Sequence, residues 1–339
     1  MDKIAFPYRS STHLLFLHVV AESGSWEKYG LDVEYDKRIS SHDAHVAVMN
    51  GDIEFVSGNH ISPYGHRTRG DKWVYLGQTV NCVPGRKLVV RADSNITRIE
   101  DLRGKVVGSR GAHPCLNDWL QLKQHGLDTD RGDVVVVDQY AYSGTNARKD
   151  PDAKPLAAFS DESKEDTTEA VWKWVLNKEV DAAFLQAPQC LFAAEAGLKL
   201  IDIEPFPMIY FTTLSSGSRF VEAHPDIVER FLKAIIEGIH FFKTQPERVA
   251  KIIRERYKND GLMSEDIAKK TYEVMAEALE PKLYPSTAAI DNVYLEGIRH
   301  DKDAAKINPT ALWDLHYIRR LDDSGFVDAL YKKTPNGIR

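Results

Sequence analysis

The sequence predicts an α/β protein of two lobes, each built on its own sheet, followed by a helical C-terminal region. Three observations carry this expectation. Short apolar runs alternate with helical periods through the first part of the chain, the alternation starts afresh at Val106, and beyond Ser218 the strand-like runs stop. The chain has 339 residues, 43% hydrophobic and 28% charged, and chains of this size split into units of about 100–200 residues.

Each element has a local reason. Ile4 to Phe6 reads as a strand and leads into a helix at about 12–22 that Gly24 stops; Leu31 to Tyr35 leads to a helix begun by Ser41. Ile53 to Val56 leads to Pro63 and beyond, and strands joined by helices predict a parallel sheet. Leu88 to Ala92 is another apolar run, after which Thr97 and Glu100 have the spacing of a capping box before the turn at Gly104. The pattern resumes with Val106-Val107, the loop Gly108 to Gly111, a helix through Trp119 to Lys123, and Val134 to Val137. A helix with Val171, Trp172 and Val175 on one face, the strand Ala182 to Leu185, and Leu198 to Ile203 complete the second lobe. Between these, Ser143 to Thr168 is polar, with Pro151 and Pro155, and is expected to be a surface excursion rather than a lid.

In the C-terminal region Ile227, Phe231, Leu232, Ile235, Ile236, Ile239 and Phe242 form one helical stripe. Thr244 with Glu247 has the spacing of a second capping box, and Pro246 suits a first turn. Further helices are expected at about 265–279 and from Asn308-Pro309 through Leu312, Leu315 and Ile318 towards Gly325. The tail is expected to return to the first lobe, giving lobe 1 as 1–88 with 212–339 and lobe 2 as 89–211.

Composition narrows the function. A net charge of −6 and the lack of a Lys/Arg stripe with interleaved aromatics argue against a nucleic-acid partner. Leu14 to Ala21 is too short to span a bilayer and has no basic segment before it, so neither membrane insertion nor a leader is expected. With Met1 as the start, the expected location is the cytoplasm, and the periplasm only if a leader was trimmed. Cys82, Cys115 and Cys190 are far apart and lack metal-ligand spacing, so free buried thiols are expected. His42 and His45 have no matching carboxylate array, and no metal or cofactor is expected.

Several segments in order carry a resemblance. They are Ala21 to Gly24 followed by Tyr29 to Glu34; Asn50 to Phe55; Ile99 to Gly108; Val180 to Phe184 with Pro188; and His224 to Val228. Their order and spacing, over about residues 3–257, resemble the periplasmic-binding-protein type II superfamily, in the branch of alkanesulfonate, taurine and nitrate solute-binding proteins and thiamin-pyrimidine synthases (NMT1/THI5-like). The resemblance implies a two-lobed type II fold with two crossover segments, near Arg86 to Ala92 and Pro207 to Leu214, and a ligand enclosed between the lobes. Ligands in open α/β sheets bind beyond the carboxyl ends of strands, which points to the same place.

Candidate ligand residues follow from that position. Arg9, Ser10, Ser11, Thr12 and His13 form a run of donors leading to a helix N-terminus, suited to a carboxylate, sulfonate or phosphate; Ser11 or Thr12 would serve equally as a cap. Ser57, Gly58, Asn59 and His60 follow the third strand, where Gly58 permits close backbone approach. His66 and Arg67 read as helix surface, although the desulfinase resemblance aligns an arginine with Arg67. In the second lobe Ser109, Arg110, Gly111 and His113 lie between strand and helix, with Arg110 as a bidentate clamp. Gln139 and Gln186 sit at strand ends, and Tyr140, Trp119 and Phe211 are candidate aromatic walls or core.

Two functions use this architecture. The resemblance to thiamin-pyrimidine synthases fails at Met208 to Thr212, which contains no cysteine, and at Gly58, where that family has its substrate lysine. The desulfinase nucleophile and histidine fall near Ser11 and Ser57, so that thiol chemistry does not transfer. The leading expectation is a cytosolic, cofactor-independent decarboxylase-type lyase acting on a small aromatic carboxylate, with Arg9 or Arg110 holding a carboxylate and His60 or His13 as proton donor. The alternative is the solute-binding component of an ABC importer for a sulfonate, nitrate or aromatic acid, with an ABC permease as partner.

Overall fold

The structure, a computed structural model, describes residues 1–9, 11–109, 118–138, 170–256 and 261–332. The chain divides into two compact units, one of Met1–Val83, Pro207–Lys258 and Tyr272–Arg339, the other of Pro84–Phe206 and Asn259–Thr271. Both are mixed α/β, as the alternating pattern predicts.

The first unit opens with β1 (Asp2–Ala5), α1 (Ser11–Glu22), α2 (Ser25–Lys28), β2 (Leu31–Glu34), α3 (Ser41–Asn50), β3 (Phe55–Ser57), α4 (Ser62–Thr68) and β4 (Trp73–Cys82). β1 and β2 pair in parallel, with Ile4 opposite Val33. The α1 helix buries Leu15, Phe16, Leu17, Val19 and Val20, so it is enclosed on most of its circumference. The Ser40 side chain caps α3 by accepting from the Asp43 N–H at 3.0 Å, one residue before the expected start.

The second unit holds β5 (Lys87–Val90), β6 (Val106–Ser109), α5 (Asp118–Gln124), β7 (Val135–Asp138), α6 (Ala170–Leu176), β8 (Ala182–Leu185), α7 (Gln189–Glu195) and β9 (Lys199–Asp202). Its sheet runs in the order β7-β6-β8-β5-β9 around a core that includes Leu88, Ile99, Leu102, Leu122, Val136 and Phe184. The sheet is mixed rather than parallel. β6 is parallel to β7 and β8, whereas β5 is antiparallel to β8 and β9. No βαβ crossover joins β5 to either neighbour, so the rule that makes crossover strands parallel does not act on it.

The chain then returns through β10 (Pro207–Gly217), α8 (Ser218–Ala223), α9 (Pro225–Thr244), α10 (Pro246–Arg256), α11 (Glu265–Ala278), α12 (Thr287–His300), α13 (His316–Asp323) and α14 (Phe326–Lys332). β10 lies antiparallel between β3 and β4. The α9 stripe is buried from Phe231 to Phe242, and Phe231 stacks on Phe55 at 3.9 Å and meets Phe6 edge-on at 4.9 Å. This aromatic contact ties α9 to β3 and to the chain leaving β1.

Three local expectations are corrected. The turn over Ile99–Leu102 is a tight 3₁₀ turn, which brings Asp101 rather than Glu100 under the N–H groups of Thr97 (2.9 Å) and Arg98 (3.2 Å). Thr244 ends α9 by donating its hydroxyl to the His240 carbonyl at 2.7 Å, instead of capping α10. The last long helix begins only at His316, because β4 takes the preceding backbone: Tyr75 N–H donates to the Leu312 carbonyl at 2.7 Å and Asp314 N–H to the Tyr75 carbonyl at 2.8 Å. No described helix is long and apolar enough to cross a membrane.

Candidate functional site

The chain leaving β1 is held between two neighbours. Tyr8 bridges both Arg38 and Ser57 in parallel sense, and Arg9 N–H donates to the Ser57 carbonyl at 3.2 Å. This brings the carboxyl ends of β1 and β3 side by side. The Arg9 guanidinium is oriented by Nη1 donating to the Ile39 carbonyl at 2.6 Å. Two residues later α1 begins, and its first turn carries no acidic side chain to oppose an anion.

His13, in that first turn, is buried against the end of β3. Its Nδ1 lies 3.1 Å from the Ser57 carbonyl oxygen and 2.9 Å from Ser57 Oγ. A carbonyl only accepts, so geometry assigns the proton to Nδ1 and leaves the lone pair of the neutral ring on Nε2. Ser57 Oγ in turn donates to Thr212 Oγ1 at 3.2 Å, and the Thr212 carbonyl accepts from Thr79 Oγ1 at 2.8 Å. The imidazole thus stands on a buried hydroxyl ladder running from β3 across β10 to β4.

Gly58 makes room for this arrangement. Its backbone has φ +101°, and a Cβ there would lie 2.7 Å from His13 Cε1 and 3.2 Å from Arg9 Cγ. Its N–H donates to the Thr213 carbonyl at 2.9 Å, and its own carbonyl accepts from Ser215 Oγ at 3.0 Å. Asn59 follows at φ +64°, its side-chain oxygen accepting from Ser62 Oγ at 3.0 Å at the start of α4. Across β10, Phe211 also has φ +66° and is buried, with its ring 5.9 Å from that of His13. A positive φ at a bulky residue is strained. Here it coincides with the irregular register of β10 around Tyr210, where Gln78 donates to the Tyr210 carbonyl and accepts from Thr213 Oγ1 at 2.7 Å.

The structure therefore brings together Arg9, His13, Ser57, Gly58 and Asn59, with half-buried His60 next in the chain. Ser11 and Thr12 lie in the first turn of α1, and Ser10 lies outside the described residues. Arg67 is on α4, where Nη1 donates to the Asp71 carbonyl at 3.1 Å. In the second unit Ser109 is buried at the end of β6 and Gln186 follows β8, its carbonyl accepting from Cys190 N–H at 3.0 Å. Arg110, Gly111, His113, Cys115, Gln139, Tyr140 and the stretch 143–168 lie outside the described residues.

Two groupings were missed in sequence. Thr212, Thr213, Ser215 and Ser216 set polar groups along β10, a visible pattern whose partners are far away in the chain: Ser57, Thr79 and Gln78 for the threonines, and the Gly58 and Glu54 carbonyls for the serines. In the second unit Arg86 forms a buried ion pair with Asp118 and stacks over the Phe184 ring at 4.7 Å.

The NMT1/THI5-like family model matches residues 11–155, from α1 past β7. Among solved structures, the putative periplasmic sulfonate-binding protein SsuA of Methylobacillus flagellatus superposes with a TM-score of 0.67 at 14% identity, covering 100% of this chain and 98% of its own. The chain has the periplasmic-binding-protein type II fold. The alkanesulfonate-binding protein SsuA of Xanthomonas axonopodis, solved with MOPS bound, gives 0.62 at 13% identity, covering 92% of this chain and 96% of its own. The desulfurization enzyme DSZB gives 0.60 at 15% identity, covering 95% and 99%. No curated protein matches the chain. These binding-protein-fold relatives are two sulfonate binders and a desulfurization enzyme, so the decarboxylase and aromatic-acid expectations gain no support from them. The cytoplasmic expectation gains none either, since the Methylobacillus protein is described as periplasmic.

Proposed function

We propose that this chain binds a small organic anion, a sulfonate before a carboxylate, at the carboxyl ends of β1 and β3, as the solute-binding component of an ABC importer. The observation that carries this reading is the convergence on Gly58, a position where no side chain fits, of the Arg9 side-chain stem, the buried His13 ring and the acid-free start of α1, with the Arg9 guanidinium anchored on the Ile39 carbonyl. A guanidinium with a helix N-terminus supplies charge-assisted donors to an anionic oxygen. The binding-protein-fold relatives that take sulfonates support the ligand class and the permease partner.

A second reading, a lyase or desulfinase-like enzyme, is favoured by one feature. Holding Nδ1 of His13 on Ser57 fixes the tautomer and puts the basic lone pair on Nε2, the arrangement of a general base. A thermal-shift screen with alkanesulfonates, arylsulfonates, hydroxybenzoates and nitrate, with the small molecules then assayed by mass spectrometry, separates the two. A saturable rise in Tm with the sulfonate recovered intact is expected for the receptor. Conversion of the added molecule transfers the site to the enzyme reading, and no shift with any of them removes both.

A further inference from the structure

A second cluster in the first unit takes no part in that site. His45 on α3, His66 on α4 and Asp71 in the turn before β4 meet although the first and last are 26 positions apart in the chain. We propose that His45, His66 and Asp71 bind one divalent transition-metal ion of the zinc class. His45 Nε2 lies 2.6 Å and His66 Nδ1 3.3 Å from the same Asp71 oxygen, and the three ligand atoms all lie within 4.8 Å of one another. His45 Nε2 hydrogen-bonds that oxygen and His66 Nδ1 stands beside it, so the three ligand atoms are gathered within reach of one ion.

Packing holds the His45 ring, and the more exposed His66 ring must turn out of its stack on His45 for both in-plane lone pairs to reach one ion. His45 and His66 stack at 3.8 Å, and His45 lies nearly parallel to the buried Trp73 ring at 5.7 Å. In a tetrahedral shell with bonds of about 2.0–2.1 Å, ligand atoms stand roughly 3.3–3.5 Å apart. The His66–Asp71 separation already meets this. The Asp71 carboxylate must withdraw from His45 by less than about 1 Å, and Arg67 holds the Asp71 backbone carbonyl rather than its carboxylate. On binding, each ring presents a lone pair to the ion and keeps its proton on the other nitrogen. Two imidazoles with one carboxylate favour Zn²⁺, Co²⁺ or Ni²⁺ over Mg²⁺ or Ca²⁺. The half-exposed sides of His66 and Asp71 admit the ion and a water as fourth ligand. Bound metal would staple α3 to α4 and to the start of β4.

The test uses full-length protein stripped with chelator and titrated with Zn²⁺ by calorimetry, with Co²⁺ absorption in the visible as a report of coordination and Mg²⁺ as the control. One equivalent of Zn²⁺, tetrahedral Co²⁺ bands, a raised Tm and no response to Mg²⁺ are expected. His66→Gln, Asp71→Asn and His45→Phe, the last keeping the aromatic stack, should each weaken Zn²⁺ binding more than about tenfold. No Zn²⁺ uptake by the unaltered chain, or equal uptake by all folded variants, overturns the proposal.

Discussion

Gly58 is the residue on which the anion site turns. Its φ of +101° and the 2.7 Å that would separate a Cβ at this position from His13 Cε1 act together, so Gly58→Ala is expected to cost about 1 kcal/mol or more in stability and to push His13 off Ser57. Calorimetry should show anion affinity falling more than tenfold in a variant that still unfolds cooperatively. Elsewhere burial governs single groups. Burial pushes the Cys190 thiol up to about 11, so at pH 8 it should resist a disulfide reagent until the protein is unfolded. Burial, then Arg256, holds His18 below the usual imidazole range, against Asp36 and Glu22, and burial does the same to His240. The folded state then binds fewer protons than the unfolded chain below the ordinary value near 6.5. Their contribution is intact above that value and is lost as pH falls through the depressed folded values. Tm should drop between pH 7.5 and 5.5, and His18→Gln and His240→Gln should blunt the drop. At this scale the sequence shows Arg9, His13 and Gly58 as candidates, because strand ends and glycine carry local signals. It does not show Asp71 beside His45, because segments far apart in the chain meet only through packing.

Among the elements, α1 and α9 touch where Gly238 faces Val20. A Cβ on Gly238 would lie 2.8 Å from Val20 Cγ2. Gly238→Ala gains about 1 kcal/mol of helix propensity but overpacks this contact at about 1–3 kcal/mol. Denaturant unfolding should show net destabilisation, and in a Val20→Ala background the same substitution should be neutral or stabilising. In the second unit, Asp118→Ala leaves the Arg86 guanidinium buried without its carboxylate, and a loss of about 3–5 kcal/mol is expected. Cutting the exposed Arg98–Asp101 pair at its Arg98 end should leave stability essentially unchanged. Helices such as α9 are legible in sequence because their apolar period is complete within one segment. The start of α13 and the direction of β5 are not, because the strands that claim those backbone groups are far away in the chain.

For the whole molecule, the strand-helix pattern that restarts at Val106 falls in the second unit, and the chain's return through β10 completes the first unit's three-stranded antiparallel sheet, with β1 and β2 a separate parallel pair instead of part of one parallel sheet. The fold is shared with solved structures at only 13–15% identity. Ligand class and chemistry depend on a few side chains that the shared fold leaves open, which is why the lyase expectation found no support while the fold did. The most direct test of anion capture is isothermal titration of an arylsulfonate into the unaltered chain and into Arg9→Gln. Saturable one-to-one binding that falls at least tenfold in the variant, with the sulfonate recovered unchanged, is the expected result. Equal affinity in the two proteins would contradict the site, and no binding by either would contradict the ligand class.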